Sequence, residues 1–174
     1  MQLKYIDDVV FAQAAICKSE YPWYADFISR NQIKKIIEFG PGSSTWAFLE
    51  NPGLEIISYE PHPKWYETAL ETFKDFPNVT IRHFDEFIVE EADFVHVDSP
   101  PAAGDFPRLE SCQRAMQCST LFIMHDAKRQ GERNTSKCIT EEDGWVCELV
   151  MSNRGIAIFN KNREYDYNRD MFKR

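Results

Sequence analysis

The 174-residue sequence predicts an α/β fold: a single doubly wound, mostly parallel seven-stranded sheet with a C-terminal antiparallel hairpin and helices on both faces. Three observations predict it. Short apolar runs of strand length alternate with segments of helical periodicity from Gln32 onward. The first run, Ile36–Phe39, closes on Gly40-Pro41-Gly42-Ser43-Ser44-Thr45, a tight glycine turn opening a helix. The last two runs, Trp145–Val150 and Gly155–Phe159, are joined by Met151-Ser152-Asn153-Arg154, a link that permits only an antiparallel pair because a parallel crossover needs a dozen or more residues.

The composition agrees with one domain. A chain of this length, 43% hydrophobic, buries roughly two-thirds of the surface its unfolded form exposes. Aromatic residues make up 14%, which argues for a packed core over a disordered chain. The formal charge of −8 has no basic stripe within it, so the sequence points away from nucleic acid and toward a neutral or cationic small substrate, or a protein one. Cysteines at 17, 112, 118, 138 and 147 are odd in number and form no C-x-x-C pair, the usage of reduced thiols in a cytoplasm. The N-terminus lacks the pattern of a signal peptide, and no apolar run reaches the ~20 residues that span a bilayer, so no membrane association is expected. Homo-oligomerisation is compatible with all of this.

Three stretches follow: an N-terminal helical extension at 1–31, a core at 32–160 and a polar tail at 161–174 that is expected to fray. Residues 7–30 read as one or two helices, with Tyr21-Pro22 breaking the pattern before a stripe of Trp23, Tyr24, Phe27 and Ile28. In the core, Ser43–Leu49 begins a helix that Asn51-Pro52-Gly53 stops, and Leu54–Glu60 is the second strand. Pro61-His62-Pro63 leads into a helix over 64–74 with Trp65, Ala69, Leu70 and Phe73 on its inner side. Strands follow at Asn78–Phe84 and Asp93–Asp98, a helix near Phe106–Cys118, and a fifth strand at Ser119–Met124. Residues 128–143 read as a polar segment before the hairpin.

Each of the first five strands carries an acid at or near its carboxyl end: Glu38, Glu60, Asp85, Asp98 and Asp126. Ligands of open parallel sheets bind beyond those ends, so the set marks one crevice. Glu60 lies eighteen residues after Gly42 and closes the second strand, the placement for accepting hydrogen bonds from ribose hydroxyls. The third glycine of a dinucleotide fingerprint would fall at position 45, which is Thr45. A ligand with a ribose and no pyrophosphate, such as S-adenosylmethionine, therefore suits the loop better than a nicotinamide dinucleotide. Ser43, Ser44, Thr45 and Glu38 could position its amino-acid end.

These residues resemble the motifs of the Rossmann-like, class I S-adenosylmethionine-dependent methyltransferases. Glu38–Thr45 resembles the first motif, Tyr59-Glu60 the second, Phe84-Asp85 the third and Asp98-Ser99-Pro100-Pro101 the fourth, so the likeness spans residues 33–160. It implies that Gly40, Pro41, Gly42 and the three hydroxyl residues after them hold the cofactor. It also implies that Glu60, followed by Pro61, takes the ribose, that Asp85 reaches the adenine amino group, and that 98–101 face the methyl group and acceptor.

The acceptor is read by comparison within that family. Ser99-Pro100-Pro101-Ala102 lacks the aromatic that ends the similar motif of amino-methyltransferases. Small O-methyltransferases often carry Asp-x-Pro here and an acid closing the fifth strand, which Asp98 and Asp126 match. In the metal-dependent ones such acids hold a divalent cation, for instance Mg, usually with a third oxygen ligand; here Ala127 follows Asp126. Without a metal, His125 is the first candidate for general base and His96 the second, although His96 alternates with Val95 and Val97 as a core residue would. The expectation is a small-molecule O-methyltransferase with catalytic residues among Asp98, His125 and Asp126. A non-catalytic cofactor-binding partner subunit and a nicotinamide-dependent oxidoreductase are the alternatives.

Overall fold

A computed structural model describes residues 16–99, 104–142 and 144–172, and the first part of the expected N-terminal helices lies outside these residues. The sheet has seven strands in the order β3-β2-β1-β4-β5-β7-β6. They are β1 (Lys35–Phe39), β2 (Glu55–Glu60), β3 (Val79–His83), β4 (Phe94–Val97), β5 (Leu121–His125), β6 (Val146–Val150) and β7 (Ile156–Asn160). β1 to β5 pair in parallel, while β7 runs antiparallel to both β5 and β6. The expected mixed sheet and terminal hairpin are thus both present, with β7 inserted between β5 and β6.

Alternation along the strands divides the core into two layers. Ile36, Ile56, Phe94, Ile123 and Ile158 face one side, where helices α1 (Tyr21–Arg30), α2 (Ser43–Leu49) and α3 (Pro63–Phe73) pack. Ile37, Ile57, Val95, Phe122, Met124 and Phe159 face the other, under α4 (Leu109–Cys118) and α5 (Gln130–Glu141). Helices on both faces explain why the strands read as nearly continuous apolar runs.

Several local expectations need correction. Tyr21-Pro22 begins α1 instead of ending a helix: proline in the first turn loses no intrahelical bond, because that N–H has no partner within the helix anyway. The α1 stripe is as expected, with Trp23, Tyr24, Phe27 and Ile28 all buried. In α3 only Ala69 and Phe73 are buried, whereas Trp65 is 50% and Leu70 41% exposed. The strand β3 is the edge of the sheet, and a helix lying against it has too little sheet beneath it to cover a wide stripe. The segment 128–143 contains a helix, α5, whose buried positions Glu132, Thr135 and Ile139 fall at helical spacing. Two of those three are polar, so the periodicity was invisible to a hydrophobic count.

The described part of the tail, 161–172, makes contacts with the sheet and with α1. The Tyr165 hydroxyl donates to Glu148 Oε2 at 2.8 Å, and the Tyr167 hydroxyl donates to the other oxygen of the same carboxylate. Asn31 and Asp166 exchange a pair of hydrogen bonds, and Tyr167 and Phe172 pack beside Trp23. Tyrosine rings supply the apolar area that the polar residues around them obscure. Among the described residues, no helix is long and apolar enough to cross a membrane.

The two tryptophans make the packing testable. Trp23→Ala should cost about 3–5 kcal/mol, as deletions of buried large side chains do. Trp65→Ala should stay within about 0.5 kcal/mol, the usual range for surface positions. Urea unfolding of both variants checks this; equal losses would place Trp65 in the core.

Candidate functional site

The strand order reverses between β1 and β4, and the candidate residues gather beyond the carboxyl ends of the strands around that point. Gly40 leaves β1 with φ +95°, a conformation that favours glycine, and a Cβ there would lie 2.8 Å from that of Ser99. The first loop is therefore pressed against the end of β4. Gly42 is extended, and a Cβ on it would meet nothing within 4 Å, so the loop is open on that side.

Glu38 organises this loop from beneath. It is fully buried on the same sheet face as Ile36, flanked across the strands by Ser58 and His96. Its carboxylate accepts hydrogen bonds from Ser44 Oγ at 2.5 Å, Thr45 Oγ1 at 2.7 Å and Ser58 Oγ at 2.7 Å. Thr45 Oγ1 in turn accepts from the Gly42 N–H at 2.9 Å. The residue that replaces the third glycine thus ties the loop backbone to the buried acid. His96 Nδ1 lies 3.6 Å from Glu38, and His96 Nε2 lies 3.2 Å from the Tyr24 hydroxyl. The core reading of His96 is the correct one. Glu38, expected beside the ligand, is enclosed and acts on the loop through Ser44 and Thr45. Ser43 Oγ accepts the N–H of Ile16, so among the described residues it is this one of the three hydroxyl residues that engages the segment before α1.

Glu60 closes β2 on the near side of the loop, with Pro61 half-buried after it. One oxygen accepts the His62 N–H at 2.8 Å, and burial raises the carboxyl pKa above its usual value. Asp85 sits past the end of β3 on a short 3₁₀ turn, Phe84–Glu86, with its side chain 86% exposed and 3.4 Å from His83 Nδ1. It is the most solvated of the five acids and stands apart from the buried ones.

At the ends of β4 and β5 the structure brings together Asp98, His125 and Asp126, as the sequence predicts, but with partners the sequence did not reveal. Arg108, just before α4, is 3% exposed. Its Nη2 lies 2.8 Å from Asp98 Oδ1 and 3.0 Å from Asp126 Oδ2, while Nη1 donates to the His125 carbonyl. His125 Nε2 is 3.0 Å from the carboxylate of Glu20, and Nδ1 is 3.3 Å from Asp98 Oδ1. Asp126, at φ +61°, also pairs with Arg129 at 2.9 Å. Ser152 Oγ donates to Glu20 at 2.5 Å, joining the hairpin link to the same cluster.

The electrostatics follow from the partners. Burial alone would depress the His125 pKa, but the Asp98 and Glu20 carboxylates outweigh it and push the ring up to about 10. Burial would raise Asp98, yet His125 and Arg108 lower it to about 2. The two carboxylates favour the imidazolium form of His125, which has no lone pair with which to act as a general base. The Asp98 carboxylate is ionised and 13% exposed, and beside it Ser99 Oγ is buried with no hydrogen-bond partner among the described residues.

Arg108, Glu20 and Glu132 were missed by sequence reading. Each is a charged residue outside any recognisable motif, where a solvated side chain is the ordinary expectation. No spacing marks them.

Against known proteins, no family model matches the chain, and no curated protein matches it in sequence. Solved structures do. An O-methyltransferase from Bacillus cereus in complex with SAH superposes with a TM-score of 0.68 over 86% of this chain and 84% of its own, at 14% identity. The chain has the class I methyltransferase fold. An SAH-bound methyltransferase from Podospora anserina gives a TM-score of 0.71 over 87% and 81% at 14% identity. A proposed RNA methyltransferase from Pyrococcus horikoshii gives 0.65 over 82% and 83% at 19% identity. The shared architecture is that of proteins named for different acceptors, so the acceptor must be argued from this chain's own residues.

His125 allows a test with a definite sign. Its folded pKa lies above the ordinary 6.5, so its contribution to stability is complete below pH 6.5 and disappears as pH rises through about 10. His125→Gln should cost on the order of 3 kcal/mol near pH 6, the scale for removing one member of a buried ion pair. The difference from wild type should shrink steadily toward pH 10 in denaturant titrations. A cost independent of pH would show that the ring is not held as a cation.

Proposed function

We propose that this chain is an S-adenosylmethionine-dependent methyltransferase acting on a small-molecule acceptor, most simply at an oxygen. The observation that carries the reading is the convergence of three features on the switch point. Gly40 and Gly42 leave the loop backbone open on one side, Glu60 presents a buried carboxylate at the end of β2, and ionised Asp98 stands at the end of β4. In this reading the loop Gly40–Thr45 takes the amino-acid end of the cofactor, Glu60 the ribose and Asp85 the rim beside the adenine.

Methyl transfer is a displacement at a carbon already activated by the sulfonium, so alignment supplies much of the rate. Asp98 is suited to alignment. Its carboxylate, with the pKa lowered to about 2, accepts a hydrogen bond from the acceptor hydroxyl and directs the oxygen lone pair toward the methyl group. As the C–O bond forms and the C–S bond breaks to release the demethylated cofactor, the hydroxyl proton, by then more acidic than a carboxylic acid, passes to Asp98. Asp126 and His125 then act as positioning residues behind Asp98. A divalent cation at Asp98 and Asp126 does not fit, because Arg108 bridges them.

The formal charge of −8 also favours a small acceptor over a nucleic acid, since little of the phosphate-contact energy that drives such binding would be available. The described cysteines are free thiols, in keeping with a cytoplasmic location.

Calorimetry tests the core of the proposal. The folded chain should bind S-adenosylmethionine and its demethylated product, and no binding at millimolar cofactor overturns the reading. Gly42→Ala should weaken the cofactor by about tenfold or more, some 1.4 kcal/mol, at unchanged thermal stability. Gly40→Ala should instead destabilise the fold by about 1–3 kcal/mol, because a strained φ and a close contact coincide there. Asp98→Asn should reduce methyl transfer to an acceptor found by screening while leaving cofactor affinity within a few-fold. Cofactor binding with no transfer to any acceptor would favour the partner-subunit alternative.

A further inference from the structure

The donor atoms of Asp98, His125 and Asp126 all lie within 4.8 Å of one another, close enough to surround one ion. A guanidinium already lies among them. Arg108 Nη2 bridges Asp98 Oδ1 at 2.8 Å and Asp126 Oδ2 at 3.0 Å, and Nη1 donates to the His125 carbonyl and lies 3.7 Å from Glu132 Oε1. The arginine is buried, always charged, and reaches two carboxylates from one nitrogen, which is the office of a bridging cation.

The backbone is shaped to put it there. Arg108 has φ +63°, outside the usual range for a residue with a side chain, and the bend before it is clamped from α5. Thr135 Oγ1 donates to the Pro107 carbonyl at 2.7 Å. Gly131 lies so near that a Cβ on it would stand 2.6 Å from Pro107 Cδ. From α4, Ser111 Oγ donates to the Ser99 carbonyl at 2.7 Å, fixing the end of β4 to the same helix.

The cluster already holds several positively charged groups. Four carboxylates, Glu20, Asp98, Asp126 and Glu132, face four cationic groups, Arg108, His125, Arg129 and Arg154. The His125 ring has Nε2 engaged with Glu20 at 3.0 Å, while Nδ1 lies 3.3 Å from Asp98 Oδ1 without a hydrogen bond. A divalent ion would have to displace the guanidinium or sit against it.

We propose that Arg108 is the resident cation of this site: it occupies the place between Asp98 and Asp126 that a divalent metal would take, excludes that metal, and holds Asp98 in position for the acceptor. The exclusion of metal stands on the cluster alone; the positioning of an acceptor rests on the methyltransferase reading.

Mn²⁺ titration followed by electron paramagnetic resonance tests the exclusion without any assay of activity. The wild-type chain, stripped with chelator and dialysed, should show no stoichiometric Mn²⁺ binding up to roughly 10⁻³ M, the weak end of oxygen-ligand sites. Arg108→Met, shown to be folded by circular dichroism, should gain one Mn²⁺ site. Adding Asp126→Asn to that variant should weaken the new site by at least the roughly 10–100-fold that changes around a metal cost. One Mn²⁺ bound tightly by the wild-type chain and lost in Asp98→Asn would overturn the proposal. So would a folded Arg108→Met that gains no site. Should Arg108→Met not fold, Arg108→Gln, which removes the charge but keeps a polar side chain at the position, should bind Mn²⁺ measurably, and its failure to do so when folded also overturns the assignment. Calorimetry with S-adenosylmethionine on the chelated protein separates the two claims. A chain that binds neither ligand refutes the methyltransferase reading and leaves the exclusion of metal intact.

Discussion

The buried carboxylate of Glu38 is the constraint on which the site end of the fold depends. A carboxyl group at zero exposure in an interior strand of a sheet is costly unless its oxygens are satisfied, and here three hydroxyls and a nearby histidine ring surround it. Those partners come from the loop after β1, from β2 and from β4. Satisfying one residue therefore fixes the relative positions of three parts of the chain. The loop cannot relax without uncovering the acid, because Ser44 and Thr45 are both its donors and the first residues of α2. Tyr24 extends the arrangement to α1, its hydroxyl meeting His96 and its ring packing edge-on against Phe48.

A few ångströms along the sheet the same problem is solved differently. At the ends of β4 and β5, carboxylates are met by full positive charges, Arg108 and the His125 imidazolium, in place of hydroxyls. Hydroxyl donors neutralise nothing, which suits Glu38, an acid that holds a loop and is itself enclosed. Ion pairs remove net charge, and they polarise Asp98 toward a permanently ionised form at the one place where it retains some exposure. The difference separates a structural acid from one able to meet a ligand. Both devices need the aromatic layer of α1 above them, since exclusion of water is what gives short polar contacts their weight.

The cluster also ties distant segments together. Glu20 precedes α1, Ser152 lies in the link between β6 and β7, and both bond within the group that contains His125. The hairpin, the start of α1 and the end of β5 are held by one carboxylate. Together with Tyr165 and Tyr167, which return to Glu148 on β6, this makes both ends of the described chain part of the sheet's support.

Much of the architecture was legible in the sequence because it follows from local rules. Runs such as Ile36-Ile37 and Phe94-Val95 declare a strand covered on both sides, Gly40 with Gly42 declares a turn, and a four-residue link forces an antiparallel hairpin. Acids at successive strand ends located the crevice on the same ground, since chain direction alone brings parallel strand ends to one edge. Helix α5 escaped because two of its buried residues are polar, Glu132 facing Arg108 and Arg129 at 3.7 Å and Thr135 bonded to the Pro107 carbonyl, and a hydrophobic pattern does not register buried polar groups. The state of the site was decided only by tertiary structure. Arg108 lies ten residues from Asp98 and eighteen from Asp126, and Glu20 lies 105 from His125. Whether a carboxylate pair holds a metal, a guanidinium or a proton depends on which charge the fold delivers to it at about 3 Å, and Coulomb energy at that range dominates any preference a residue carries by itself.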